Sequence, residues 1–362
     1  MNSLLAVLLD GKGYIALKDM PKPSPDRGEV VVKMRACGLC GTDVEKIKGE
    51  YTASMPVIGH EPAGVVIDVG EGVSTLKVGD RVFVHHHVPC NDCWYCRHNS
   101  ETMCLTYKST NIRPGGFSEY FLVPSLNIQK GGVLKLPSNV SFEDASLIEP
   151  LACCIRGLHR ADSDSADRIL VMGCGPVGQM HIKLLSLKGK YIIATDINSN
   201  RLEMAEKFGA SHSFQSDNKL KDNVMRVTDG LGADLSIIAS SSIEAVKNAI
   251  ECTRKGGKIL LFGVPAKGSR IEFDLSNIFN SELSFITSYG ATERETRMAL
   301  GMLASGGLQI NELVSHRFPL KNFEEALQLY SSGKGMKIVI TNCVFSGNNF
   351  ASIPHSISMK GP

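Results

Sequence analysis

Hydrophobic and polar positions follow two different patterns along the chain, and the pattern changes near residue 150. Before that point, short apolar runs are separated by turns that contain glycine, such as VGEGV and KVGD. Strands are predicted at Glu29–Met34, Gly64–Val69 and Arg81–Val84. A series of short strands of this kind predicts an all-β, barrel-like domain.

From about Ile155, buried-strand patterns alternate with helical periodicity. Strands that alternate with helices predict a parallel sheet covered on both faces. The predicted strands are Arg168–Met172, Tyr191–Thr195, Asp234–Ala239, Lys258–Phe262 and Leu283–Thr287, and the predicted helices are Pro176–Lys188, Ser199–Phe208 and Ile243–Cys252.

The two ends of the chain have their own patterns. After about Gly290, helices are predicted at Glu293–Ala304 and Phe323–Ser331 and a strand at Lys337–Thr341. The last residues, 346–362, are polar and aperiodic, which predicts a flexible tail. The opening apolar patch lacks a basic start and a cleavage site, so it predicts a first strand rather than a secretory signal.

Composition narrows the class of protein. The chain has 362 residues, which suggests two domains, and its 43% hydrophobic and 21% charged residues are typical of a soluble globular protein. A net charge of +2 argues against a large nucleic-acid surface. No apolar run reaches the length of a membrane span. Eleven cysteines without a signal peptide indicate a reducing compartment, and we expect the cytoplasm.

Four cysteines lie close together with the spacing C-x2-C-x2-C-x7-C: Cys90, Cys93, Cys96 and Cys104. Four thiolates close a tetrahedral shell around zinc and leave no open position, so this lobe (residues 88–106) predicts a structural zinc site. Disulfides or scattered core cysteines are the alternatives, and neither explains so many close steps in one polar loop. A structural zinc does not identify a function, because nucleic-acid-binding zinc ribbons share this feature.

A glycine-rich loop follows the predicted strand RILVM and begins a predicted helix. Gly173 permits the turn, Gly175 lets the backbone approach a pyrophosphate, and Gly178 lets the helix pack close to the sheet. Pro176 and Val177 occupy the first helical turn, where a proline needs no hydrogen-bond partner and the amides face phosphates. The strand before and the helix after make dinucleotide binding the prediction.

Asp196 ends the next predicted strand, YIIATD, about 20 residues beyond the glycines. A carboxylate there accepts hydrogen bonds from both ribose hydroxyls and repels a 2′-phosphate, which predicts NAD rather than NADP. Arg201 either contacts adenine or a phosphate or is an ordinary exposed helix residue.

A second metal site is suggested by Cys40 in ACGLCGTD, His60 and Glu61 in PVIGHEPAG, and Glu149 in LIEPLAC. These residues are far apart in the sequence, and spacing alone is equally compatible with one buried thiol, one core histidine and two surface acids.

The motifs GLCGTD, GHEPAG, the four-cysteine lobe, GGFSEY, EPLA and GCGPVG occur in this order. Together they resemble the zinc-dependent medium-chain alcohol dehydrogenases, particularly the sorbitol and polyol dehydrogenase branch, over about residues 1–341. The resemblance implies an α/β protein. A GroES-like β-barrel catalytic domain would span 1–155 with a return at 290–345, and a Rossmann doubly wound parallel-sheet domain would span 156–289.

The resemblance also implies roles for the candidate residues. Cys40 and His60 would bind a catalytic zinc, and Glu149 and Glu61 both match acids that serve as a third ligand or its close partner, with exchange between them open. Thr42 matches the hydroxyl that bonds the substrate oxygen. Many relatives carry a histidine relay five residues after the cysteine, where this chain has Glu45.

The function implied is hydride transfer between a secondary alcohol or polyol and NAD, with two zinc ions per chain, in a homotetramer or homodimer. A sugar-phosphate or threonine-type dehydrogenase is the alternative, with Arg35, Arg113, Arg156 and Lys108 as candidate phosphate ligands. A non-catalytic nucleotide-sensing zinc protein is a third hypothesis. For the run His85–His87, strand alternation lets His85 and His87 share a face, and we expect a solvent, interface or cleft-lining role rather than a further metal site.

Overall fold

The computed structural model describes residues 3–9, 15–49 and 58–342 of the chain. The predicted tail, residues 346–362, lies outside the described residues, as do residues 1–2 and 10–14 at the two ends of the predicted first strand.

The strands are short and are distributed along the whole described chain. In chain order they are β1 (Ser3–Leu9), β2 (Ile15–Pro21), β3 (Val30–Leu39), β4 (Pro62–Val69), β5 (Arg81–Val84), β6 (Tyr120–Val123), β7 (Val133–Lys135), β8 (Arg168–Met172), β9 (Tyr191–Asp196), β10 (His212–Gln215), β11 (Ala233–Ile238), β12 (Thr253–Leu261), β13 (Ser284–Thr287), β14 (Val314–Pro319) and β15 (Lys337–Thr341).

Helices before residue 148 have eight residues or fewer, and most of those after it are longer. They are α1 (Gly41–Lys48), α2 (Trp94–Arg97), α3 (Leu105–Ser109), α4 (Ser125–Gln129), α5 (Phe142–Ser146), α6 (Ile148–Arg160), α7 (Pro176–Ser186), α8 (Ser199–Lys207), α9 (Leu220–Val227), α10 (Ile243–Cys252), α11 (Leu275–Asn280), α12 (Glu293–Ala304) and α13 (Phe323–Ser331). Within the described residues, no helix is both long enough and apolar enough to cross a lipid bilayer.

A six-stranded parallel sheet has the order β10-β9-β8-β11-β12-β13. The first strand to enter, β8, is central, and the chain winds outward from it in both directions. This order creates a crevice at the carboxyl ends of β8 and β11, which is where ligands bind in sheets of this kind. The predicted alternation of strands and helices is therefore confirmed.

A second sheet has the order β14-β15-β3-β4-β5-β7, with β6 also paired to β3. Its pairs are antiparallel except β14 with β15. Because β15 pairs with β3, the C-terminal segment completes the sheet that the N-terminal segment begins. This half is not all-β as predicted from the turns alone, since short helices join several of its strands.

Candidate active site

A cavity of about 1170 Å³ is lined by residues from both halves of the molecule. The N-terminal half contributes the start of α1, the residues before β4 and those after β5. The parallel sheet contributes the carboxyl ends of β8, β9, β11 and β12. The predicted site residues that line this cavity are Cys40, Thr42, Glu45, His60, Glu61, Glu149, Gly173, Gly175, Pro176, Val177, Asp196 and Arg201.

Three potential zinc ligands come together although they are distant in the sequence. One ligand atom each from Cys40, His60 and Glu61 lies within 4.8 Å of the others. Cys40 precedes the first residue of α1, where the helix dipole favours negative charge, and the other two precede β4. Oε1 of Glu61 is buried without a hydrogen-bond partner among the described residues. A thiolate, an imidazole and a carboxylate fit zinc well.

Asp43, which the sequence reasoning missed, positions this donor set. Its carboxylate accepts hydrogen bonds from the backbone N–H of Gly59 (2.9 Å) and of Cys40 (3.2 Å), and lies 3.1 Å from Nδ1 of His60. With the proton on Nδ1, His60 donates to Asp43 and keeps Nε2 for a metal, as metal-binding histidines commonly do. Asp43 ends the motif GLCGTD, so its closeness in sequence to Cys40 could have indicated that it belongs to the site.

Charge stabilises the contact between Asp43 and His60. Burial alone lowers the pKa of His60, but the Asp43 carboxylate and the Cys40 sulfur together outweigh burial and raise the pKa of His60 well above its ordinary value. Burial also raises the pKa of Asp43, but His60, Lys46 and the backbone N–H of Gly59 together outweigh burial, and the pKa of Asp43 falls to about 2. Asp43 is therefore an anion at neutral pH and can hold His60 in place.

Glu149 lies in the first turn of α6 and belongs to a different group of potential ligands. Its ligand oxygen lies within 4.8 Å of a nitrogen of His85 and of His86, and the three residues are buried. The Cys153 thiol, one turn along α6, donates to Oε1 of Glu149 at 3.4 Å.

The histidine run follows the end of β5, so strand alternation does not apply to it. His86 and His87 line the cavity, whereas His85 is fully buried behind them. Burial lowers the pKa of His87 to about 3 and that of His86 well below its ordinary value, so both are neutral. His85 and His87 both lie near the ring of Tyr107, with centroid distances of 6.2 and 5.1 Å, and the expected cleft-lining role fits His86 and His87.

The glycine-rich loop has the geometry that a pyrophosphate needs. Gly173 has φ +94°, in the left-handed region, and a Cβ on Gly178 would lie 1.9 Å from the Gly173 carbonyl oxygen. A Cβ on Gly175 would instead meet no atom within 4 Å and would enter the cavity. Gly178 thus allows α7 to pack closely, and Gly175 leaves the space that a dinucleotide would occupy.

Asp196 is buried at the end of β9. Its Oδ2 accepts the backbone N–H of Cys174 at 2.6 Å, and its Oδ1 accepts that of Asn198 at 2.8 Å. Arg201 lies 3.9 Å from Asp196 and donates to the carbonyl oxygen of Gly333 at 3.2 Å. Both Asp196 and Arg201 line the cavity, so Arg201 is not simply an exposed helix residue.

Thr42 and Glu45 lie in α1 and are partly exposed to the cavity. Glu45 also contacts Lys48, at 3.7 Å. Both polar groups thus occupy the same side of the cavity as Cys40.

The four cysteines of the predicted structural site also come together. The sulfur of Cys90 lies 3.9 Å from that of Cys96 and 3.5 Å from that of Cys104, and Cys93 and Cys96 are 3.6 Å apart. These separations suit sulfurs that share a tetrahedral ion and are too long for disulfides.

The candidate phosphate ligands are scattered. Lys108 lines the cavity, but Arg35, Arg113 and Arg156 are not among the described residues that do so. Arg113 pairs with Glu29 at 3.0 Å, and Arg156 is buried on α6. These four residues therefore do not form one phosphate-binding cluster in the cavity.

Comparisons with known proteins match both halves of the chain. Residues 26–137 match the family "Alcohol dehydrogenase GroES-like domain", and residues 176–305 match the family "Zinc-binding dehydrogenase". An L-threonine 3-dehydrogenase of Coxiella burnetii is 31% identical over 90% of this chain and 95% of its own length. A sorbitol dehydrogenase of Halalkalibacterium halodurans is 28% identical over 91% of this chain and 96% of its own length.

A solved structure supports the same likeness. The alcohol dehydrogenase TADH from Thermus sp. ATN1 superposes with a TM-score of 0.80 and 28% identity, covering 93% of this chain and 99% of that chain. The likeness therefore spans both halves of the fold and not only one motif.

Proposed function

The chain belongs to the zinc-dependent medium-chain alcohol dehydrogenase family, and from this premise we propose that it transfers a hydride between a secondary alcohol or polyol and NAD to give a ketone. The observation that carries this proposal is the convergence of Cys40, His60 and Glu61 in the cavity that the glycine-rich loop also lines. Metal donors and a dinucleotide loop in one cavity are what such a reaction requires.

Side chains of this chain would bind the catalytic metal ion. We propose that Cys40, His60 and Glu61 hold a catalytic zinc, with Glu149 as a ligand that can replace Glu61. When bound with an open position, zinc supplies the Lewis acidity that lowers the pKa of an alcohol hydroxyl. Asp43 would orient His60, and the Thr42 hydroxyl would accept a hydrogen bond from the substrate hydroxyl and pass the proton outward. Glu45, on the same side of the cavity, would receive that proton in place of a histidine.

The cofactor is assigned to the loop between β8 and α7. Bound NAD supplies the hydride acceptor. Gly173, Gly175, Pro176, Val177 and Gly178 would let the backbone and the start of α7 face the pyrophosphate. Asp196 would accept the ribose hydroxyls and disfavour a 2′-phosphate, and Arg201 would lie against the adenosine.

Four further features of the protein are part of the proposal. We propose that Cys90, Cys93, Cys96 and Cys104 hold a structural zinc, giving two zinc ions per chain, and that the domains divide at residues 155 and 289. A homodimer or homotetramer would form through β13, which is an edge strand of the parallel sheet and offers unpaired backbone groups. The ten free cysteines of the described residues support a reducing compartment such as the cytoplasm.

The direct test is a panel of alcohols, polyols and their phosphates with NAD and NADP, followed by the absorbance of the reduced nicotinamide. Cys40→Ser and His60→Ala should abolish turnover while NAD binding persists. Cys96→Ser should lose one zinc equivalent but retain NAD binding. Near-normal turnover by Cys40→Ser or His60→Ala would overturn the catalytic zinc assignment. Exclusive activity on polyol phosphates or on threonine would favour the alternative function, which the threonine dehydrogenase relative also suggests.

A further inference from the structure

We propose that His85, His86 and Glu149 form a second divalent-cation site in the cleft, beside the Cys40, His60 and Glu61 donors. Two imidazole nitrogens and one carboxylate oxygen lie within 4.8 Å of one another, and all three side chains are at least nine-tenths buried. The inference rests on the proposed function and adds a further ion that would compete with the catalytic zinc for Glu149.

His85 already has the orientation of a metal ligand. Its Nδ1 lies 3.3 Å from Oε1 of Glu293, and its Nε2 is buried with no hydrogen-bond partner in the described part of the chain. Histidines that bind metals usually donate their other ring N–H to a carboxylate, which fixes the ring and the tautomer. His60 and Asp43 form the same arrangement at the first donor set.

His86 provides a second buried nitrogen atom that lacks a hydrogen-bond partner. Its Nδ1 is buried and has no partner among residues 3–9, 15–49 and 58–342. A buried polar atom without a partner is costly, and such atoms usually have a water or an ion that satisfies them. The His86 ring centroid lies 5.2 Å from that of His60, so the second set adjoins the first.

The donor chemistry selects the class of ion. Two imidazoles and a carboxylate suit Zn²⁺, Co²⁺, Ni²⁺ or Fe²⁺ and leave coordination positions open. Ca²⁺ and Mg²⁺ prefer oxygen ligands and would bind weakly.

The position of the site predicts its effect. His86 and Glu149 line the cavity on the side of the first donor set, so an ion held there would occupy space that the alcohol needs. It would also prevent Glu149 from replacing Glu61. Excess zinc should therefore inhibit the enzyme competitively with the alcohol and not with NAD.

Metal stoichiometry tests the site independently of turnover. The full-length protein is dialysed against buffered zinc, and bound zinc per chain is measured by elemental analysis for wild type, His86→Gln, His85→Gln and Cys40→Ser. His87→Gln is the matched control, because its Nδ1 bonds the Thr110 carbonyl oxygen and it lies outside the donor set. Circular dichroism and NAD binding verify folding, and His86→Gln serves if His85→Gln does not fold.

Wild type and His87→Gln should bind one zinc equivalent more than His86→Gln and His85→Gln. Cys40→Ser should keep that equivalent and lose the other cleft ion. When zinc is kept in the four-cysteine lobe and the cleft is left empty, cobalt added to Cys40→Ser should add d–d bands without adding a thiolate charge-transfer band. Equal zinc content in wild type and His86→Gln would overturn the proposal. Absence of turnover on every alcohol, with the extra equivalent present, would instead refute the proposed function and leave the metal site standing.

Discussion

Nζ of Lys337 lies 2.5 Å from Oε2 of Glu61, and both side chains are buried. Lys337 is the first residue of β15, whereas Glu61 immediately precedes β4. Burial alone lowers the pKa of Lys337, but the contact with Glu61 and the nearby charges of Cys40 and Glu149 together outweigh burial and raise that pKa above its usual range. The C-terminal strand therefore supplies the countercharge for one of the zinc donors.

Lys337→Met should destabilise the protein by about 3–5 kcal/mol, because it leaves Glu61 buried without its partner charge. Urea unfolding measures the loss. Lys77→Met, at an exposed lysine, is the control and should change stability by less than about 0.5 kcal/mol. The double variant Lys337→Met/Glu61→Gln should recover part of the loss, since it removes both charges. An unfolding midpoint for Lys337→Met equal to that of the control would show that the pair contributes nothing.

Asp43→Asn should weaken binding of the cleft zinc by about 10- to 100-fold, because an amide no longer holds His60 with a carboxylate. Competition with a chromophoric chelator measures the affinity. Asp68→Asn is the control, since Asp68 is exposed and accepts a hydrogen bond from the backbone N–H of Val69. The zinc of the four-cysteine lobe should be retained in both variants. Unchanged cleft-zinc affinity in Asp43→Asn would exclude the orienting role.

The sequence predicts elements best where the deciding interactions are local. Helices α10, α12 and α13 begin and end at the predicted residues. Ser242 caps α10 by accepting the backbone N–H of Ala245, and at the start of α12 Glu295 accepts the backbone N–H of Thr292. The glycine-rich loop could be predicted for the same reason. Its turn and the close packing of its helix depend on residues that are near one another in the sequence.

Contacts between residues far apart in the sequence explain which parts of the site could not be predicted from it. Lys337 and Glu61 are 276 positions apart in the numbering, and His85 bonds Glu293 across 208 positions. Neither pair can be recognised from residue spacing in a single sequence. Strand β12 begins at Thr253 rather than at the predicted Lys258, because its first residue pairs with Ala233 before a register shift.

Asp196→Asn should shift cofactor preference towards NADP, because it removes the negative charge that would repel a 2′-phosphate while the amide oxygen can still accept the Cys174 N–H. The ratio of kcat/KM for NADP to that for NAD should rise about 10- to 100-fold, as expected for one hydrogen bond to a charged group. Asp217→Asn, at an exposed aspartate beyond β10, is the control. An unaltered ratio in Asp196→Asn would reject Asp196 as the specificity residue.

His181, on α7, should make stability depend on pH. Its ring is fully buried, lies 4.6 Å from the ring of Phe262, and has no hydrogen bond to either nitrogen in the described chain. Burial lowers the pKa of His181 from 6.5 to about 3. Between these values the unfolded chain binds a proton that the folded protein does not, so acidification favours unfolding in this window.

Wild type should therefore lose about 2 kcal/mol of stability between pH 7 and pH 5 through this residue alone, since each pH unit in the window is worth about 1.4 kcal/mol. His181→Leu should show a correspondingly smaller loss over the same range, measured by urea unfolding at both pH values. His316→Gln, at a partly exposed ring, should keep the wild-type pH dependence. If His181→Leu and wild type lose stability equally between pH 7 and pH 5, His181 is not neutral inside the folded protein, and an unseen polar partner such as a buried water must satisfy its ring.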